Sequence, residues 1–114
     1  MNVDAIRDYC LSLPNVTEDV KWGTDLCFCI EKKIFCLVGT GQDVSVCFKC
    51  TQEVFDELRE RDGILPAPYL ARNKWVLVKK SSALNKTELE KFIKASYALI
   101  VSKFSKKLRR ELGI

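Results

Sequence analysis

Apolar residues recur along this chain with two different periods, and the switches between them divide it into elements. Val3, Ile6, Cys10 and Leu13 stand three and four apart, the spacing of one helical face, and Pro14 ends that run. Residues 14–23, PNVTEDVKWG, have no regular period and read as a polar connector. Three runs then alternate at period two: TDLCFCIE, KIFCLVGT and DVSVCFKC. Lys32-Lys33 and Gly41-Gln42 are short enough to be their turns, which predicts a three-stranded antiparallel meander.

A helical period returns in TQEVFDELRER, with Thr51 placed to cap it and Asp62-Gly63 to stop it. Two prolines keep ILPAPYLA extended, and KWVLVKK reads as a strand, so residues 68–80 are expected to form a second hairpin. Asn85 and Glu88 have capping-box spacing ahead of a long helix whose stripe includes Leu89, Phe92, Ile93, Ser96, Tyr97 and Ile100. Ser105 can cap a short terminal helix, KKLRREL. The order α-β-β-β-α-β-β-α predicts one α+β domain over residues 1–114. It would have two layers, a five-stranded antiparallel sheet with helices on one face and the other face partly open.

Composition places this pattern in an ordinary globular class, with 47% hydrophobic and 30% charged residues in 114. No apolar run approaches a membrane span, and the opening MNVDAIRDYC carries acids in place of an apolar signal core. A cytosolic protein with no membrane partner is expected. The net charge of +4 is unevenly spread, because residues 1–31 hold two basic and six acidic side chains while residues 86–114 hold eight and three. A basic C-terminal half fits a nucleic-acid partner.

Six cysteines raise the question of chemistry, three of them within CFCIEKKIFCLV. In a reducing compartment they need not be disulfides. Two-residue turns would set Cys29 opposite Cys36 and Cys36 opposite Cys47. That is a row, with Cys27 beside it, on the face opposite Phe28, Phe35 and Phe48. The row could be a thiolate cluster, and Cys47-Phe48-Lys49-Cys50 has the spacing of zinc and redox pairs. Against this, Cys47 and Cys50 point to opposite faces of a continuous strand, and a row along a sheet makes a poor tetrahedron. The preferred reading is cysteine as a small hydrophobe, with no metal and no cofactor.

The chain has no histidine, which removes Ser-His and Cys-His nucleophilic catalysis and histidine bases. Asp56, Glu57 and Glu60 lie on a helix surface and read as a solvated face. Gly39-Thr40-Gly41 leads into a strand, where a phosphate loop would lead into a helix. No enzyme is expected. What remains is basic and aromatic: Tyr69, Arg72, Lys74, Trp75, Lys79 and Lys80 on the second hairpin, with Lys32 and Lys33 on the first turn. Such side chains on projecting hairpins can hold phosphates and stack bases. The blander alternative has Trp75 and Leu77 packing inward while the lysines protect a sheet edge.

Several stretches in order give the whole chain a resemblance to the MmcQ/YjbR-like family. They are RDYCLSLPNVTED, IEKKIFCLV, VCFKCTQEVFDELRE, DGILPAPYLARNKWV and SYALIVSKFSKKLRREL. The resemblance implies a two-layer α+β fold, described as frataxin-like or double-wing, with DNA binding inferred largely from shape. Lys74 and Trp75 match the family's lysine-and-tryptophan segment, and Lys49 the lysine that ends its third strand. Lys74 stands where many members carry histidine, and Phe104-Ser105 where many have Leu-Pro. The expectation is a non-catalytic DNA-binding or regulatory protein with slight sequence preference, monomeric or homodimeric. A protein-interaction module using the open sheet face or a homodimer interface is the second reading, and a thiol or metal protein the third.

Overall fold

A computed structural model of the chain describes residues 2–21, 23, 25–41, 43–68 and 71–114. The elements run α1 (Val3–Ser12), β1 (Val16–Lys21), β2 (Asp25–Ile30), β3 (Lys33–Gly39), β4 (Ser45–Lys49) and α2 (Gln52–Leu58). They continue through β5 (Ile64–Pro66), β6 (Trp75–Val78), α3 (Lys86–Val101) and α4 (Lys106–Leu112). The strands form one sheet in the order β1-β2-β3-β4-β6-β5, and every neighbouring pair is antiparallel.

Local chemistry sets the helix starts. Asn2 accepts the Ala5 N–H at 3.0 Å, and Thr51 Oγ1 accepts the Val54 N–H at 3.2 Å. Asn85 and Glu88 complete the expected capping box, with bonds of 2.8 and 3.3 Å. Each such cap contributes about 1 kcal/mol. All the apolar helix faces meet one face of the sheet. Ile6 and Cys10 of α1, Phe55 and Leu58 of α2, and Leu89, Phe92 and Ile93 of α3 form a single core with Phe28, Phe35, Val38, Val46, Phe48 and Val76. Phe48 stacks on Phe92 at 6.0 Å between centroids, and Phe35 meets Tyr97 edge-on at 5.4 Å. Aromatic pairs of this kind add about 0.5–1.5 kcal/mol beyond their burial.

The sheet has six strands, one more than the apolar pattern predicts. The extra strand is β1, inside the stretch read as a connector. Thr17 to Lys21 are exposed and Val20 is 56% exposed, so β1 has no apolar face to give it a period. Its backbone ladder to β2, from Val16 opposite Ile30 to Lys21 opposite Asp25, holds it in place. The second hairpin also begins earlier than predicted, at Ile64, and its connection carries a 3-10 turn over Ala71–Asn73. Tyr69 and Gln42 lie outside the described residues.

The cysteine row is not formed as predicted. Glu31 and Lys32 make the first turn, with Ile30 opposite Lys33, and the register shifts between Phe28 and Cys29. The shift is a bulge that leaves Phe35 as an extra residue, so that Phe35 and Cys36 both turn to the core. The loop from β3 to β4 spans residues 40–44, since Gly39 pairs with Ser45, and this slips β4 by one residue from the predicted pairing. Cys36 therefore faces Phe28 and Phe48. Cys27 and Cys47 stay on the far face, separated by Leu37, which pairs with both.

Candidate nucleic-acid interface at one end of the sheet

Antiparallel pairing decides which of the candidate residues share an end. Lys33 opens β3 opposite Ile30, Lys49 closes β4, and Trp75 opens β6 opposite Lys49. Lys32 lies in the turn before Lys33, while Lys74 and Arg72 immediately precede Trp75. Six of the eight candidates therefore gather at one end: Lys32, Lys33, Lys49, Arg72, Lys74 and Trp75. Lys79 and Lys80 follow Val78 and stand at the other end, where the Lys79 N–H donates to Gly63 at 2.7 Å. Lys80 Nζ is held by Asp62 at 2.7 Å, and that ammonium pulls the Asp62 carboxyl below its usual range.

The gathered cations differ from Lys80 in having no acid. Among the described residues, ion pairs join Arg7 to Glu18, Arg61 to Glu57 and Glu88, and Lys80 to Asp62, and none includes a cation of the gathered end. Lys32, Lys33 and Arg72 are exposed. Lys74 leans its ammonium over the Phe55 ring at 5.5 Å, a ring that Arg59 shares at 5.6 Å. Trp75 is only 7% exposed and lies outside the helix-side core, so its indole fills the far face and is not a free stacking platform.

Backbone conformation marks the same end. Asn15, Glu31, Lys32 and Lys74 have φ of 63, 48, 65 and 65°, the left-handed region that costs a side-chain-bearing residue about 1–2 kcal/mol. Asn15 precedes Val16, which pairs with Ile30, so all four belong to the basic end.

Ser96 and Lys103 complete the site and were not singled out for it by the sequence. Ser96 is fully buried, and its hydroxyl donates to the Phe35 carbonyl at 2.7 Å while accepting the Lys49 N–H at 3.0 Å. It bridges β3 and β4 just past their last pair, Cys36 and Phe48, and holds the Lys49 N–H where its strand ends. Lys103 reaches the Lys49 side chain; burial, then the charge of Lys103, lowers the Lys49 pKa. For Ser96 the usable signal was its place in the apolar stripe of α3; Lys103 lies in the turn just past the end of that helix, where periodicity gives no signal.

The thiols are set apart from this chemistry. Burial and then Asp25 push Cys47 up to about 11, and burial pushes Cys50 up to about 12. Among the described residues no group of three or more Cys, Asp or Glu side chains is arranged to hold a metal.

The chain belongs to the YjbR family, whose family model matches residues 11–99. Its fold is similar to that of the Deinococcus radiodurans protein DR2400, which carries the family-model domain DUF419. The TM-score is 0.90 at 28% identity, over 99% of this chain and 88% of that one. A protein from Pseudomonas syringae shares the fold at a TM-score of 0.73 and 22% identity, over 87% of this chain and 98% of that one. No curated protein matches the sequence. No helix among the described residues is long and apolar enough to cross a membrane.

Proposed function

We propose that this YjbR-family protein is a non-catalytic DNA-binding protein that uses the basic end of its sheet. The observation that supports the reading is the convergence of Lys32, Lys33, Lys49, Arg72 and Lys74 on one end of the sheet, none of them paired with an acid among the described residues, with Lys32 and Lys74 held in left-handed backbone. Strained turns persist where a side chain must be held in one place. Lysines and an arginine gathered at this end would contact phosphates, and phosphate contacts carry no sequence information. Binding is therefore weakly selective and dependent on salt. Four or five neutralised phosphates correspond to a log–log salt slope of about −4. Fluorescence anisotropy of a labelled duplex at two salt concentrations tests this, and undetectable binding at low salt with tens of micromolar protein overturns it.

One observation favours a second reading, association through the far face of the sheet. Cys27, Leu37, Cys47, Leu77 and Leu65 form one apolar row across five strands, and Leu65 is 39% exposed. Sedimentation of the protein with and without Leu65→Lys distinguishes a homodimer through this row from a monomer.

A further inference from the structure

A groove of about 250 Å³ runs between the β4–α2 junction and the C-terminal half of α3. Its walls are apolar, formed by Val54, Phe92, Ala95, Ala98 and Leu99. Its polar groups are Lys49, Thr51 and Ser102, and no acid lines it. Lys103, next to Ser102, approaches the Lys49 ammonium, and repulsion between them adds to burial in lowering the Lys49 pKa. Thr51 Oγ1 accepts the Val54 N–H, which leaves its own proton to donate.

We infer that this groove binds a small amphiphilic organic anion, with its acid head between Lys49 and Lys103 and its hydrocarbon body against Phe92, Ala95, Ala98 and Leu99. Two features together select that ligand. Two ammoniums brought together without an acid are stabilised by an anion placed between them. Walls formed by Val54, Phe92, Ala95, Ala98 and Leu99 favour an apolar body beside that charged head. At about 30 Å³ per water-sized element, about 250 Å³ accommodates a chain of roughly eight atoms.

Helix-dipole complementarity accounts for one lysine near the end of α3, since cations are favoured there. It does not account for a second ammonium drawn against the first. The larger cavity, about 300 Å³ between α1 and the start of α3, selects no such ligand, because both Lys86 and Glu90 line it.

The groove shares Lys49 with the DNA reading, whereas Lys32, Lys33 and Arg72 take no part in it, so loss of DNA binding in variants of those three leaves this inference standing. The test is a titration of the full-length, nitrogen-15-labelled protein with octanoate, followed by amide shifts, with octanol as the uncharged control. Saturable shifts are expected at Cys50, Val54, Ala95, Ala98 and Leu99, with octanoate at least about tenfold tighter than octanol, as a charge-assisted contact provides. That preference should vanish in Lys49→Gln/Lys103→Gln. If the double variant fails to fold, Lys103→Gln alone, at an exposed position, should still reduce the preference several-fold. Equal binding of octanoate and octanol, shifts confined to Ala5, Tyr9 and Leu89, or no shift up to about 10 mM octanoate would overturn the inference.

Discussion

The two ends of the sheet solve the same problem in opposite ways. At the end that carries Gly23 and Gly63, left-handed backbone positions are filled by glycine, at φ of 78 and 89°. Lys80 there is paired with Asp62, and Asp25 opens β2 nearby. At the other end, left-handed positions are filled by Asn15, Glu31, Lys32 and Lys74, and none of Lys32, Lys33, Lys49, Arg72 and Lys74 has an acid partner among the described residues. One end is arranged for stability. The other keeps side chains where glycine would be easier to fold and leaves positive charge uncompensated. Proximity in sequence is a poor guide to this division. Lys74 and Lys79 are five residues apart and at opposite ends, while Lys32 and Lys74 are far apart in sequence and at the same end.

The largest expected effect concerns the thiols. Cys50 follows Lys49 at the basic end, where nearby cations would ordinarily activate a thiol. Burial wins instead, so at pH 8 a thiol at about 12 has about a thousandfold less thiolate than one at the ordinary 9.0. Alkylation of the native protein should be slow at every cysteine and slowest at the buried ones, read by mass spectrometry. A rapidly labelled Cys50 would mean that the basic end is open to that depth. The linkage has a definite sign. A thiol with a raised folded pKa stabilises fully below 9.0, and that contribution is lost as pH rises towards about 12. The urea midpoint should therefore fall across that alkaline window.

Ser96→Ala comes next. It leaves the Phe35 carbonyl and the Lys49 N–H without the hydroxyl that joins them, at a cost of about 2–3 kcal/mol for buried unpaired groups. Urea unfolding measures it. A loss within error would mean that the two strands close directly and that Ser96 does not set the position of Lys49.

Two backbone substitutions then carry opposite signs. Gly63→Ala places a Cβ 2.7 Å from the Lys80 Cβ at φ 89° and should cost about 1–2 kcal/mol. Lys32→Gly relieves a left-handed lysine in an exposed turn and should stabilise by about 0.5–1 kcal/mol. If Lys32→Gly destabilised the protein, the unfavourable backbone at the basic end would not be a concession made by the fold.

Much of the architecture was legible because periodicity reports burial. The helices with a core-facing stripe, the capping box at Asn85 and the phenylalanine face of the meander all follow from it. Strand β1 was not, because a strand held at an edge by backbone bonds need not carry an apolar face. The fate of Cys36 was hidden for a different reason. A one-residue bulge beside Phe35 and a five-residue loop after Gly39 both change register, and neither leaves a compositional mark. The candidate site was legible as a set of residue types and not as a place. Lys79 and Lys80 look like neighbours of Lys74 until the strand between them is drawn, and Lys103 joins Lys49 only once α3 is laid across the sheet.

The central claim is that one end of the sheet, and not basic charge in general, binds a phosphate backbone. It is tested most directly by comparing two charge-removed variants of equal formal charge on the same duplex. Lys32→Ala/Arg72→Ala removes two cations from the basic end, and Lys79→Ala/Lys80→Ala removes two from the other. The first should weaken binding about tenfold or more at low salt and reduce the salt slope by about two. The second should leave the slope unchanged and the affinity within about twofold, the residue of long-range charge alone. Equal losses from both variants, or no binding by the unaltered protein, would contradict the account.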